Sequence, residues 1–252
     1  MESIEHLLGK IHNTDCLEFM RQLPDKCVDL VLTDPPYGTT QNKWDCVVSF
    51  KDLWEGIKRI TKQNSAIVMT AAQPFATDLI NSNREMFRYD LIWYKPLASG
   101  FLNANKMPLR NHEHILVFYS NHPIYNPQKF TGRKRPASTS KANSTSNYGN
   151  FKSVFTKEHD DYFPQSVIEF NNGDKTEVEH PTQKPTPLLA YLGLTFSNSD
   201  SVIFDPFMGS GTTAVACERL GRKWFGCELE PKYCEIANKR IEAEQAQLKL
   251  FI

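Results

Sequence analysis

Two acids stand at the ends of apolar runs, each followed by proline. Asp34-Pro35-Pro36-Tyr37 closes "VDLVLT" (28–33), and Asp205-Pro206-Phe207 closes "SVIF" (201–204) and leads into Gly209-Ser210-Gly211. In an open parallel sheet, ligands gather beyond the carboxyl ends of the strands. Two such ends therefore read as two sides of one crevice. Glycines at 209 and 211 let backbone approach a ligand closely, and a helix that follows aims free N–H groups at it. With Ala214 they fit G-x-G-x-x-A, and Glu228 ends the next strand, where an acid would hold ribose hydroxyls. That pattern fits a nucleoside-containing cofactor, and a nicotinamide dinucleotide and S-adenosylmethionine satisfy it equally.

The Asp34 segment carries a second chemistry. An exocyclic amine on a nucleobase is a poor nucleophile because its lone pair is delocalised into the ring. Two acceptors on its N–H groups would draw the nitrogen toward tetrahedral geometry. The Asp34 carboxylate and the Pro35 carbonyl are suitable acceptors, and proline fixes φ and so the carbonyl direction. Tyr37 would stack on the ring. A base inside a duplex must be flipped out to reach such a pocket.

The elements that must position these residues are legible as alternating strands and helices. Strands are expected at 11–14, 28–33, 65–71, 88–95, 112–120, 201–204 and 223–228. Helices are expected at 50–61, 74–82, 187–196, 211–220 and from 231. The alternation argues for a mostly parallel sheet with helices on both faces. Residues 121–175 interrupt it and read as an inserted region without structure of its own, splitting a domain of 1–120 and 176–252. From Lys129 to Lys157 this insert carries Lys129, Arg133, Lys134, Arg135, Lys141, Lys152 and Lys157 and no acid, although the whole chain has zero net charge. A local basic surface of this kind fits nucleic acid. Its sequence fits a solvated linker as well.

Taken together, "TDPPYG" (33–38), "FDPFMGSGTT" (204–213), "HPTQKP" (180–185) and "NTDC" (13–16) resemble the DNA amino-methyltransferases, which methylate adenine N6 or cytosine N4 from S-adenosyl-L-methionine. The order of the motifs is similar to that of the family's β group. The resemblance implies a Rossmann-like, seven-stranded methyltransferase sheet, circularly permuted, with an inserted target-recognition region. It implies that Asp34, Pro35, Pro36 and Tyr37 hold the flipped base. It places Asp205, Pro206, Phe207, Gly209, Ser210, Gly211, Thr212 and Thr213 on the cofactor, Glu228 on its ribose, and Asp15 and Cys16 near its adenine. Thr182, Gln183 and Lys184 would meet the methionine end, with Asp34 beside the sulfur. Lys95, Lys106, Arg110, Arg133, Lys134 and Arg135 are the expected DNA contacts. Asp at the first motif position points within the family to adenine, and Ser would point to cytosine.

Double-stranded DNA is the implied partner. A homodimer and a cognate restriction endonuclease are further partners that the resemblance brings, in the cytoplasm of a bacterial or phage-infected cell. No apolar run approaches the ~20 residues of a membrane helix, and "MESIEHLLGK" lacks a secretion signal. Six scattered cysteines form no C-x-x-C pair, and His112 and His114 lack a third ligand, so no metal is expected. Two other classes stay open. An inactive DNA-binding subunit would not need the full motif set, and a nicotinamide oxidoreductase leaves D-P-P-Y and H-P-T-Q-K-P unexplained.

Overall fold

The computed structural model describes residues 4–38, 47–145, 149–172 and 183–249. The chain divides into two compact units, one of residues 1–126 with 166–252, the other of residues 127–165.

In chain order the larger unit runs β1 (Ile11–Asn13), α1 (Cys16–Gln22), β2 (Val28–Thr33), α2 (Phe50–Ile60), β3 (Thr61–Ala71), α3 (Phe75–Ser82), β4 (Phe87–Ser99) and β5 (Arg110–Phe118). Six short strands then belong to the smaller unit: β6 (Phe130–Arg135), β7 (Ser138–Ser140), β8 (Asn143–Thr145), β9 (Gly149–Phe151), β10 (Val154–Thr156) and β11 (His159–Tyr162). The larger unit resumes with β12 (Val167–Glu169), α4 (Thr186–Phe196), β13 (Val202–Asp205), α5 (Thr212–Leu220), β14 (Lys223–Glu228) and α6 (Pro231–Lys249).

All seven expected strands enter one sheet, and β12 adds an eighth, in the order β1-β14-β13-β2-β3-β5-β4-β12. The sheet is mixed. β1, β14, β13, β2 and β3 are parallel neighbours, β5 is antiparallel to both β3 and β4, and β12 is parallel to β4. The sheet is mostly parallel, as expected, but the expected count of seven strands is corrected to eight. No helix among the described residues is long and apolar enough to cross a membrane.

Both faces of the sheet are covered, which explains why its central strands read as unbroken apolar runs. In β2, Val31 turns to a cluster with Phe19, Met20, Leu53, Ile57, Phe75 and Phe204, drawn from α1, α2, α3 and β13. Its neighbours Leu30 and Leu32 turn to the opposite cluster with Leu188, Leu192, Val215, Ile203 and Ile241, drawn from α4, α5, β13 and α6. Each of these side chains is almost wholly buried, contributing about 1.5–3 kcal/mol by removal from water. A sheet clamped this way holds its strand ends in fixed relation.

The smaller unit pairs β6 with β11, β7 with β10 and β8 with β9, all antiparallel. The insert is therefore not structureless. Tyr162 stacks on Phe130 at 5.6 Å, and Lys129 pairs with Asp161 at 2.5 Å.

Candidate active site

The strand register gathers the motif residues at one end of the strands, the carboxyl end of the parallel ones. Parallel pairing sets Asn13 beside Glu228 and Asp205 beside Gly226, and puts Thr33 opposite Met69, so that Asp34 follows level with Thr70. The antiparallel pair β4–β5 sets Trp93 opposite Glu113 at the same end.

Asp34 is held at both carboxylate oxygens. Its Oδ1 accepts from the Tyr37 hydroxyl at 2.7 Å and from the Thr70 hydroxyl, and its Oδ2 accepts from Lys184 Nζ at 2.6 Å. Tyr37 also donates to Thr70 Oγ1 at 3.2 Å. Lys184 lies 3.4 Å from Glu113 Oε2, and Lys95 donates to Glu113 Oε1 at 2.8 Å. Asp34, Lys184, Glu113 and Lys95 thus alternate in sign and sum to zero charge. Burial pushes the Glu113 carboxyl up, but Lys184 and Lys95 outweigh it and hold it below the ordinary value. Burial disfavours the Lys184 ammonium, yet Asp34 and Glu113 overcome that and raise it. The Tyr37 hydroxyl is pushed far up by burial and by the charges of Asp34 and Glu113, so it stays a donor. Its ring stacks on Phe75 at 5.1 Å, and Lys184 Nζ lies 5.4 Å from its centroid.

The glycine loop is organised from beneath by Asp205. This side chain is 2 % exposed, accepting from Thr33 and from Phe207 N (3.0 Å) at Oδ1 and from Thr213 Oγ1 (2.5 Å) at Oδ2. Burial raises its carboxyl to about 6, although these three donors oppose the shift. Both Asp205 oxygens thus accept hydrogen bonds inside the fold. Thr213 is likewise turned to Asp205, and Thr212 Oγ1 accepts from Arg240 at 3.2 Å. Gly209 and Gly211 take left-handed φ of +53° and +82°. A Cβ on Gly211 would lie 2.7 Å from Ala237 Cβ, so that glycine serves helix packing. A Cβ on Gly209 would meet only Phe207 O, at 4.0 Å, and so faces open space.

Glu228 accepts from Gly209 N at 2.8 Å and Glu230 N at 2.9 Å, and burial raises its carboxyl despite these donors. Asp15 caps α1, its Oδ1 accepting from Leu17 N (2.9 Å) and Glu18 N (3.1 Å), with Cys16 buried behind it and its thiol pushed up to about 12, chiefly by burial. Ser210 donates to Gln183 Oε1 at 3.1 Å, which joins the loop to the segment entering α4. These groups suit an adenosyl cofactor. A backbone cradle opens at Gly209 while an acid and a helix cap flank the neighbouring strand ends.

Pro35 is buried beside Asp34, and Pro36 is half-buried. Phe207 packs partly on the core, and the Pro206 carbonyl accepts from Cys227 Sγ at 3.4 Å. Lys184 was expected at the methionine end of a cofactor and is bonded to Asp34 instead. Lys95 was expected on DNA but is 7 % exposed and ion-paired with Glu113. Lys106 and Arg110 are exposed at the β4–β5 connection. Arg133, Lys134 and Arg135 are exposed on β6, where Lys134 pairs with Glu158 at 2.7 Å and Arg135 lies 5.0 Å from the Tyr162 ring centroid. Thr182 lies outside the described residues. His114 Nδ1 is 3.0 Å from Asp90 Oδ2, and no cluster of three metal-ligating side chains occurs among the described residues. Thr70 and Glu113 were not foreseen. Glu113 lies in the polar first half of β5, ahead of the apolar run 115–118, so nothing in its sequence context sets it apart.

Residues 28–239 match the N6/N4 methyltransferase family, described as DNA methylase. The chain is 28% identical to the type II methyltransferase M.BglII of Bacillus subtilis, covering 94% of this chain and 70% of that protein. It is 27% identical to M1.MboII of Moraxella bovis, covering 92% and 95%. Among solved structures, that of M1.HpyAVI with S-adenosylmethionine superposes with a TM-score of 0.66 at 22% identity, over 92% of this chain and 98% of that one. The cytosine-N4-specific PvuII DNA methyltransferase superposes with 0.66 at 16% identity, over 94% and 93%.

Proposed function

Because the chain belongs to the N6/N4 DNA methylase family, we propose that it transfers a methyl group from S-adenosyl-L-methionine to the exocyclic N6 of a flipped-out adenine in double-stranded DNA. The observation that carries the reading is Asp34, oriented at the end of β2 by Tyr37, Thr70 and Lys184. S-adenosyl-L-methionine supplies, when bound, an electrophilic methyl on a sulfonium sulfur.

The chain's own work is positioning and electrostatics. Asp34 Oδ2 and the Pro35 carbonyl accept from the two amine N–H groups and turn the nitrogen lone pair outward. Asp34 is also the acceptor along which the nitrogen's surplus proton leaves. Tyr37 stacks on the flipped base. The Gly209–Thr213 loop with Pro206 and Phe207 cradles the cofactor, Glu228 takes its ribose hydroxyls, and Asp15 and Cys16 flank its adenine. Thr182 and Gln183 attend the methionine end. The order of β2 before β13 is that of a circularly permuted methyltransferase sheet, and residues 127–165, with Arg133, Lys134 and Arg135, form the target-recognition unit. Asp at position 34 favours adenine over cytosine.

The test is transfer of tritiated methyl to mixed-sequence duplex DNA by the native chain and by Asp34→Ala, followed by digestion to nucleosides and by sequencing of the methylated site. Label in N6-methyladenosine that vanishes in the variant is expected. Label in N4-methylcytosine would retain the mechanism and replace the base. No label in any nucleoside would refute the reading.

A further inference from the structure

The Asp34 carboxylate is nearly saturated before any base arrives. A carboxylate oxygen offers about two acceptor sites. Both on Oδ1 are taken by Tyr37 and Thr70, and Oδ2 already accepts from the Lys184 ammonium. A neutral amine entering at the remaining site of Oδ2 would have to share that oxygen with the Lys184 ammonium, which draws its electron density away from the amine. Nearby, Glu113 Oε2 is buried and makes no hydrogen bond, although Lys184 Nζ is only 3.4 Å away. A buried acceptor left unbonded is costly. A shift of Nζ by roughly half an ångström would satisfy it. Lysine suits such a move, being a compact charge with three rotatable donors on a flexible stem. Lys95 stays on Glu113 Oε1 throughout, and the four-group cluster keeps zero charge.

We propose that Lys184 is shared between two carboxylates, and that Glu113 is a positioning residue which draws it from Asp34 as the target amine takes Oδ2. The proposal rests on the base-flipping methyl-transfer reading above. Glu113 acts through Lys184 and touches no reacting atom.

The test places 2-aminopurine beside the target adenine in a short duplex carrying the methylated site, because this base brightens when its neighbour leaves the stack while the target keeps its 6-amino group. Glu113→Gln keeps the side-chain shape and an oxygen for Lys95 but removes the charge that attracts Lys184. Brightening should weaken and KM for DNA should rise by about tenfold, the worth of one charge-assisted hydrogen bond. The turnover number at saturating DNA and the affinity for a cofactor analogue should change much less. Glu113→Asp, which retains the charge, should recover most of the effect. In a Lys184→Met background Oδ2 is already free, so adding Glu113→Gln should change brightening by less than twofold.

An equal loss with and without Lys184, or no loss in the native background, overturns the handover. Loss of the folded thermal transition or of analogue affinity in both Glu113 variants would make the residue structural and equally overturn it. A native chain that neither methylates DNA nor brightens the probe refutes the methyl-transfer reading itself, a different outcome from an impaired variant of an active enzyme.

Discussion

Asp205 offers a quantitative check on the buried scaffold beneath the glycine loop. Its carboxyl sits at about 6 in the fold against an ordinary 3.8, so ionising it costs the folded state about 3 kcal/mol. The sign follows from linkage. A carboxyl raised on folding contributes stability below its unfolded value, and that contribution is lost as pH rises through the folded one. Asp205→Asn removes the titration while leaving one oxygen for Thr33 and Phe207 and an amide toward Thr213, whose hydroxyl can turn to accept. Over about pH 4.5 to 7.5, the native chain should lose about 2 kcal/mol relative to the variant, the part of the 3 kcal/mol not already spent at the lower pH. Urea unfolding of both proteins across this range measures it. Parallel curves would mean that Asp205 titrates alike in both states, and the reasoning from its burial would fail.

Thr70→Val removes the hydroxyl that fixes Asp34 and Tyr37, so kcat/KM should drop by roughly 10- to 100-fold while the affinity for a cofactor analogue, read by calorimetry, is unchanged. Gly211→Ala, strained in φ and pressed on Ala237, should cost about 2–4 kcal/mol in urea unfolding. Gly209→Ala should cost only about 1–2 kcal/mol yet weaken analogue binding by tenfold or more, since its new methyl points into the space left for the ligand.

The central strands were legible because burial on both sheet faces leaves apolar runs such as "LVLT" and "AIVM" between turn residues. β12 escaped because three residues carry no period, and one of them, Ile168, supplies its whole buried face. β6, β7 and β10 are exposed throughout, so no core imprints a pattern on them, and their composition reads as linker. The two acids at strand ends were visible as motifs, but their partners were not. Thr70 and Lys184 reach Asp34 from 36 and 150 residues away, and only register brings them together. Lys95 illustrates the same limit. A lysine after an apolar run reads as the exposed end of a strand until the opposite strand supplies Glu113.

The sheet order has a consequence for how the chain is made. β2 lies between β3, which follows it within a few dozen residues, and β13, which pairs with it through Ile203↔Leu30 and Phe204↔Val31. A growing chain therefore carries one finished flank of β2 and one bare flank until some 170 residues later. β1 waits longer still, since its partner is β14. During that interval a row of unpaired backbone groups on an apolar strand is open to any other strand it meets. Fragments that stop before residue 201 should accordingly precipitate or recruit chaperones, even though they contain the whole Asp34 motif. Rescue by supplying the missing C-terminal segment in trans would follow from the same geometry.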